Sequence, residues 1–239
     1  MRFPFFRSAV ALCTLPFAAM PSVASAEFAG GRVGVSHSFH LGDTSEAKSG
    51  LDGQFEWAFG SSFRMQTDIG YSGLHALDDK ALNLTNHLGF TLANGGTLGA
   101  FYGWDRISGT EDFFGLEYAG DVGAARIDSY VAMIDEPGSN GRMAGIAARM
   151  QMNDAMGLGA SIDYMKSDGV ADATRFGLSA DYMLGASSRV KGELGRVSAD
   201  DAGGSVDETY LKLGVDFKFG ANGGPSFGTR SLLNALPGL

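Results

Sequence analysis

Cysteine is all but missing from this chain: of 239 residues only Cys13 carries a thiol. It sits in an N-terminal apolar run, behind Leu12, where a lipoprotein site would want a small residue. Disulfides and zinc-type ligand clusters are therefore excluded as supports of the fold. Proline is also scarce, at 6 residues. No apolar run reaches the length of a membrane-spanning helix, and neither heptads nor sustained 3.6-residue periodicity occurs, which excludes helical bundles and helical membrane proteins. A phosphate loop and metal-spaced clusters are absent too, so the sequence offers no cofactor site. Basic residues number 18 against 27 acidic, and so acidic a chain is a poor partner for nucleic acid.

What is present begins with a leader. Arg2 and Arg7 flank a short basic start, Ser8 to Met20 is largely apolar, and Ala24-Ser25-Ala26 precedes Glu27. Residues 1–26 read as a secretory signal peptide cleaved after Ala26. Taking Arg2 and Arg7 from the 18 basic residues leaves 16 against 27 acidic, a charge of −11 on the exported chain.

Glycine is abundant at 36 residues, and alternation of apolar with polar residues recurs twelve times, from Arg32–Leu41 to Thr209–Phe219. The last segment is the clearest. Leu211, Leu213, Val215, Phe217 and Phe219 alternate with Tyr210, Lys212, Gly214, Asp216 and Lys218, the period of a strand with one apolar and one wet face. Twelve strands of about ten residues predict an all-β fold, a transmembrane antiparallel up-and-down β-barrel over residues 27–220. The connections sort by parity: Gly42–Gly50 is followed by Ser61-Ser62, each odd connection is longer than the even one that follows it, and Ser198–Glu208 comes last. That predicts long outward loops, short periplasmic turns and both barrel ends on the periplasmic side. Phe39, Tyr71, Trp104, Tyr164, Phe114 and Phe176 mark one expected aromatic belt. The other collects Phe59, Phe63, Phe90, Tyr118, Tyr182, Phe217 and Phe219.

Parity also assigns the lumen. It turns inward Asp52, Gln54, Glu56, Arg64, Gln66, Asp68, Asn83, Thr85 and His87. Later strands add Asp105, Glu117, Arg126, Asp128, Arg149, Gln151, Asp163, Arg175, Asp181, Arg189, Lys191, Glu193, Lys212, Asp216 and Lys218. Charges at this density need water or partners. They predict either a narrow wet pore or a lattice of salt bridges, with the pore as the expectation. Strand five is ambiguous, since Phe101 and Tyr102 compete for the outer face. His37 and Asn86 fall on the lipid side without explanation.

With these residues in view, the chain resembles the Gram-negative outer-membrane porins, especially the general porins of α-proteobacteria. The likeness is specific in the last strand, LKLGVDFKFG, where Leu213, Val215, Phe217 and Phe219 match the signal that the barrel-assembly machinery reads in that family. It implies passive diffusion of ions and small hydrophilic solutes through the outer membrane, with lipid and the assembly machinery as partners and oligomers possible. The alternative is a closed structural or adhesive barrel that displays its loops. Two departures stand out. The third outward loop, Ile107–Asp112, is too short to form the family's constriction, and residues 221–239 continue past the last strand. This tail, with Arg230, Leu232, Leu233, Leu236 and Leu239, is expected on the periplasmic side, entry into the barrel from below being the other placement. No enzyme is expected, because His37, Asn86 and Ser129 lie too far apart around the barrel for a triad. Acidic outward loops, Asp78, Asp79, Glu111 and Asp112 among them, predict a weak preference for cations that declines as salt shortens the Debye length.

Overall fold

The computed structural model describes residues 26–239 except 137–138, 168–170, 202–203, 222–223 and 238–239; residues 1–25 of the expected signal peptide lie outside the described part. Twelve strands follow in order: β1 Ala26–His40, β2 Ala47–Phe59, β3 Phe63–Leu74, β4 Asp79–Thr91, β5 Thr97–Arg106, β6 Thr110–Val122, β7 Ala125–Glu136, β8 Ser139–Gln151, β9 Met156–Ser167, β10 Ala171–Met183, β11 Ser188–Asp201 and β12 Gly204–Phe219. Each pairs antiparallel with its neighbours, and β12 pairs with β1 to close the barrel. The seam is long and regular, running from Gly31 opposite Phe219 to His40 opposite Tyr210. Closure leaves no unpaired edge, which a lipid environment demands of any spanning sheet. No described helix is long and apolar enough to cross a membrane.

The period-two pattern decides which face is which. Leu51, Leu88, Leu116, Val131, Leu178 and Leu213 stand exposed on the outside, while their sequence neighbours Asp52, His87, Glu117, Tyr130, Gly177 and Lys212 turn inward. In β5 the ambiguity resolves by burial: Phe101 is 4 % exposed and Tyr102 51 %. Aromatic side chains gather at the rim where β1 begins and β12 ends. There Phe28 stacks on Phe219, Trp57 meets Phe28 edge-on, and Phe63 packs on Phe90 at 5.3 Å.

Loop parity is corrected by the structure. The expected long connection Ser198–Glu208 is almost wholly strand, since β11 runs to Asp201 and β12 starts at Gly204. Likewise β6 begins at Thr110, inside the expected loop Ile107–Asp112. Polar residues beyond the apolar band satisfy their backbone groups by extending the hairpins rather than by looping.

Glycine explains how the inside is filled. Tyr210 lies across Gly195 and Gly177, where an added Cβ would come within 2.5 and 2.8 Å of its hydroxyl oxygen. Phe113 lies across Gly103 at 2.7 Å in the same sense. Flat rings over bare backbone let a twelve-stranded barrel bury aromatic groups within its own lumen.

Candidate functional site

The lumen holds the chain's own C-terminus. Past Phe219, Gly220 adopts φ 94° and lies so close to Gly30 that a Cβ would sit 2.4 Å from the Gly30 Cα. Only glycine fits that left-handed turn, and it redirects the chain inward. The tail, expected outside the barrel on the periplasmic side, instead climbs the lumen from the terminal rim. Ser226 N donates to Glu56 Oε2 at 2.7 Å, Phe227 N to Gln66 Oε1 at 3.0 Å, Gly228 N to Asp128 Oδ2 at 2.8 Å, and Leu232 N to Asp105 Oδ2 at 2.6 Å. Near the opposite rim, Lys48 Nζ donates to Leu233 O at 2.6 Å, and Ser38 to Pro237 O. Three of the carboxylates that parity turned inward, Glu56, Asp105 and Asp128, are thus occupied by backbone donors of the tail, which removes the penalty for leaving either side unpaired.

Two side chains anchor it. The Phe227 ring stacks on His87 at 5.7 Å and rests on the backbone of Gly89 and Gly99, where an added Cβ would approach the ring to 3.1 and 2.6 Å. Arg230 is buried, with Nε on Glu117 Oε2 at 3.0 Å and Nη2 on Asp128 Oδ1 at 2.6 Å. Its guanidinium lies 4.6 Å from the Tyr130 ring centroid and 5.9 Å from that of Phe101. Its carbonyl accepts from Asn83 and Thr85. Above it, a 3-10 turn at Leu232–Ala235, capped by Ser231, presses Leu232 and Ala235 into Phe101, Phe113, Ile134, Met143 and Met165. Leu233 packs on Leu74 and Ala81. A buried leucine or phenylalanine contributes about 1.5–3 kcal/mol relative to exposure, so Phe227, Leu232 and Leu233 give the tail an apolar grip besides its polar one.

All sixteen sequence-selected charged residues face inward, but they do not form one lining. Glu56, Arg64, Asp68, His87 and Asp128 belong to the wall under the tail, where His87 bridges Asp68 at 3.2 Å and Glu117 at 2.7 Å. Arg64 pairs with Glu56 at 2.9 Å. Arg126 lies at the terminal rim, bonded to Ser226 O. Arg149 makes a two-point contact with Asp181 at 2.6 and 2.7 Å, and the aliphatic end of Lys218 lies close to Gly224. Asp52, Arg175, Arg189, Lys191, Glu193, Lys212 and Asp216 line a cavity of about 380 Å³ between the tail and the wall of β10, β11, β12 and β1 to β4. Sequence reasoning passed over Arg32, which joins Asp52, Asp216 (2.9 Å), Gln54 (2.8 Å) and Thr229 of the tail (3.3 Å). Even parity in β1 carried that signal. Tyr210, which donates to Glu193 at 2.5 Å and accepts from Arg175 at 2.9 Å, was legible in the same way.

Outside, the two unexplained polar residues find partners. Ser49 bridges His37 Nδ1 at 3.0 Å and His75 Nε2 at 2.9 Å. Thr67 donates to Asn86 at 2.9 Å. Cross-strand pairing therefore gives each of them a hydrogen-bond partner on the apolar face.

The arrangement is a closed, twelve-stranded transmembrane-type β-barrel with an internal strap. Among solved structures, an outer-membrane channel from Pseudomonas putida F1 is similar over 84 % of this chain and 100 % of its own, with TM-score 0.56 and 14 % identity. The KdgM porin is similar over 79 % of this chain and 99 % of its own, with TM-score 0.60 and 10 % identity. At such identities the likeness is one of fold. No protein-family model and no curated protein matches the sequence.

Proposed function

We propose that the protein is an outer-membrane channel for ions and small hydrophilic solutes, with the path running beside the tail through the cavity of about 380 Å³. The observation that carries this reading is a polar, charged cavity left inside a closed barrel whose outer band is apolar. A barrel meant only to be closed has no need to keep so many ionised groups around water. Export with cleavage after Ala26, insertion through the barrel-assembly machinery and residence in outer-membrane lipid belong to the same proposal, as does kinship with α-proteobacterial porins through the last strand. The second reading is a closed structural barrel, favoured by a tail that crosses the lumen from Ser226 to Pro237. Planar-bilayer recording of the full-length mature protein separates them. Discrete ohmic steps support the channel; a barrel that inserts, shifts on unheated gels and passes no current refutes it.

A further inference from the structure

The tail divides the lumen into two unlike halves. It lies on the carboxylates Glu56, Asp105, Glu117 and Asp128 and neutralises part of that wall with Arg230. The half that keeps the open cavity is the opposite in sign. Six basic side chains line it, Arg32, Lys48, Arg175, Arg189, Lys191 and Lys212, against the three carboxylates of Asp52, Glu193 and Asp216. The sequence-level balance of ten inward acidic and eight basic residues concealed this, because it summed both halves.

The surplus is visible in the pairing. One carboxylate, Asp216, serves three cations: Arg32 at 2.9 Å, Arg189 at 3.3 Å and Lys191 at 2.8 Å; Arg32 also pairs with Asp52, Arg175 with Asp163, and Arg189 reaches Asp181 at 3.8 Å. Glu193 is taken by Arg175 and Tyr210. Among the described residues Lys212 makes no ion pair within 4.0 Å, and the buried Nε of Arg189 has no hydrogen-bond partner. Clustered cations between low-dielectric walls raise a positive potential that concentrates anions, and unfilled guanidinium and ammonium donors are suited to oxyanions.

We infer that this cavity is a binding site for small solutes bearing oxyanion groups, and that it sets an anion preference inside a channel whose outer mouth is acidic. The inference rests on the channel reading for its biological sense, but binding can be measured without conduction. The test is titration calorimetry on the refolded full-length barrel in detergent, with citrate, inorganic phosphate and spermidine as probes. Citrate or phosphate should bind and spermidine should not. The pair Lys191→Gln and Lys212→Gln should weaken binding at least about tenfold, which is roughly 1.4 kcal/mol. Arg142→Gln, on the outer face, should leave it unchanged. Citrate favoured over phosphate assigns carboxylate solutes, and the reverse assigns phosphorylated ones; either upholds the site. Failure of both anions to bind, or binding indifferent to the double variant on barrels that still shift on unheated gels, overturns it. If the protein binds citrate but carries no current, the channel reading falls and the site stands. If it conducts with potassium preferred and binds neither anion, the channel stands and the site falls.

Discussion

Replacing Arg230 by alanine should loosen the tail without harming the barrel. The guanidinium is nearly inaccessible and holds two carboxylates, Glu117 at 3.0 Å and Asp128 at 2.6 Å, while packing on Tyr130. Breaking a buried charge pair from one side costs about 3–5 kcal/mol, because the partners stay behind uncompensated. That cost applies only while the tail is seated. Once it leaves, water enters and both carboxylates are solvated. At about 1.4 kcal/mol per factor of ten, the fraction of barrels with the tail out should rise by roughly two to three and a half orders of magnitude. Arg230→Lys keeps the charge but not the fork that reaches both carboxylates, so it should fall between. The assay is single-channel recording of wild type and both variants, with limited proteolysis of the tail in parallel. Arg230→Ala should show frequent large-conductance openings and a tail cut readily, with strands β1 to β12 still resistant. Equal conductance and equal tail protection in Arg230→Ala and wild type would refute the seat.

The other expectations concern the same strap and the last strand. Deleting residues 221–239 should raise conductance further than Arg230→Ala and leave a barrel that inserts, because Phe219 is then the last residue but one of the chain; a truncated protein that fails to insert would make the tail part of the assembly signal. Phe219→Asp should lower insertion more than that deletion, since it sets a charge among Phe28 and Phe55 on the outer face, read as the yield of heat-modifiable protein. Gly99→Leu should expel Phe227, whose ring already lies 2.6 Å from where a Cβ would be, and so should reproduce the open phenotype in conductance traces. Gly220→Val should strain the left-handed turn by roughly 1–2 kcal/mol, push its Cβ against the Gly30 backbone at the end of the seam, and increase tail cleavage.

Much of this could be read from residues alone, and the failures have physical causes. Alternation found all twelve strands, because a sheet with lipid on one side leaves no freedom in parity. It also turned every selected charge inward. It could not show that Asp105, Asp128 and Glu56 receive tail amides, since a segment without periodicity advertises no partner. Loop lengths misled because polar residues such as Asp200 and Asp207 continue the hairpin, opposite Ser205 and Ser198, instead of looping. His37 and Asn86 looked misplaced because their partners Ser49 and Thr67 are on neighbouring strands, distant in sequence. The sign of the cavity was hidden in a total, and only the tail's position separates the two walls.

The turn at Gly220 makes the strap a ligand tethered to its own receptor. Such a ligand sits at a fixed effective concentration, in the millimolar range for short flexible links, and dilution of the protein never weakens it. Cutting the chain at that glycine would change only this. The nineteen residues that follow would then act as a separate peptide, and the emptied barrel would be a host with an acidic wall, an aromatic socket and an entrance at the terminal rim. Its occupancy would follow peptide concentration on that side of the membrane alone, which would turn a permanent strap into a titratable and sided blocker.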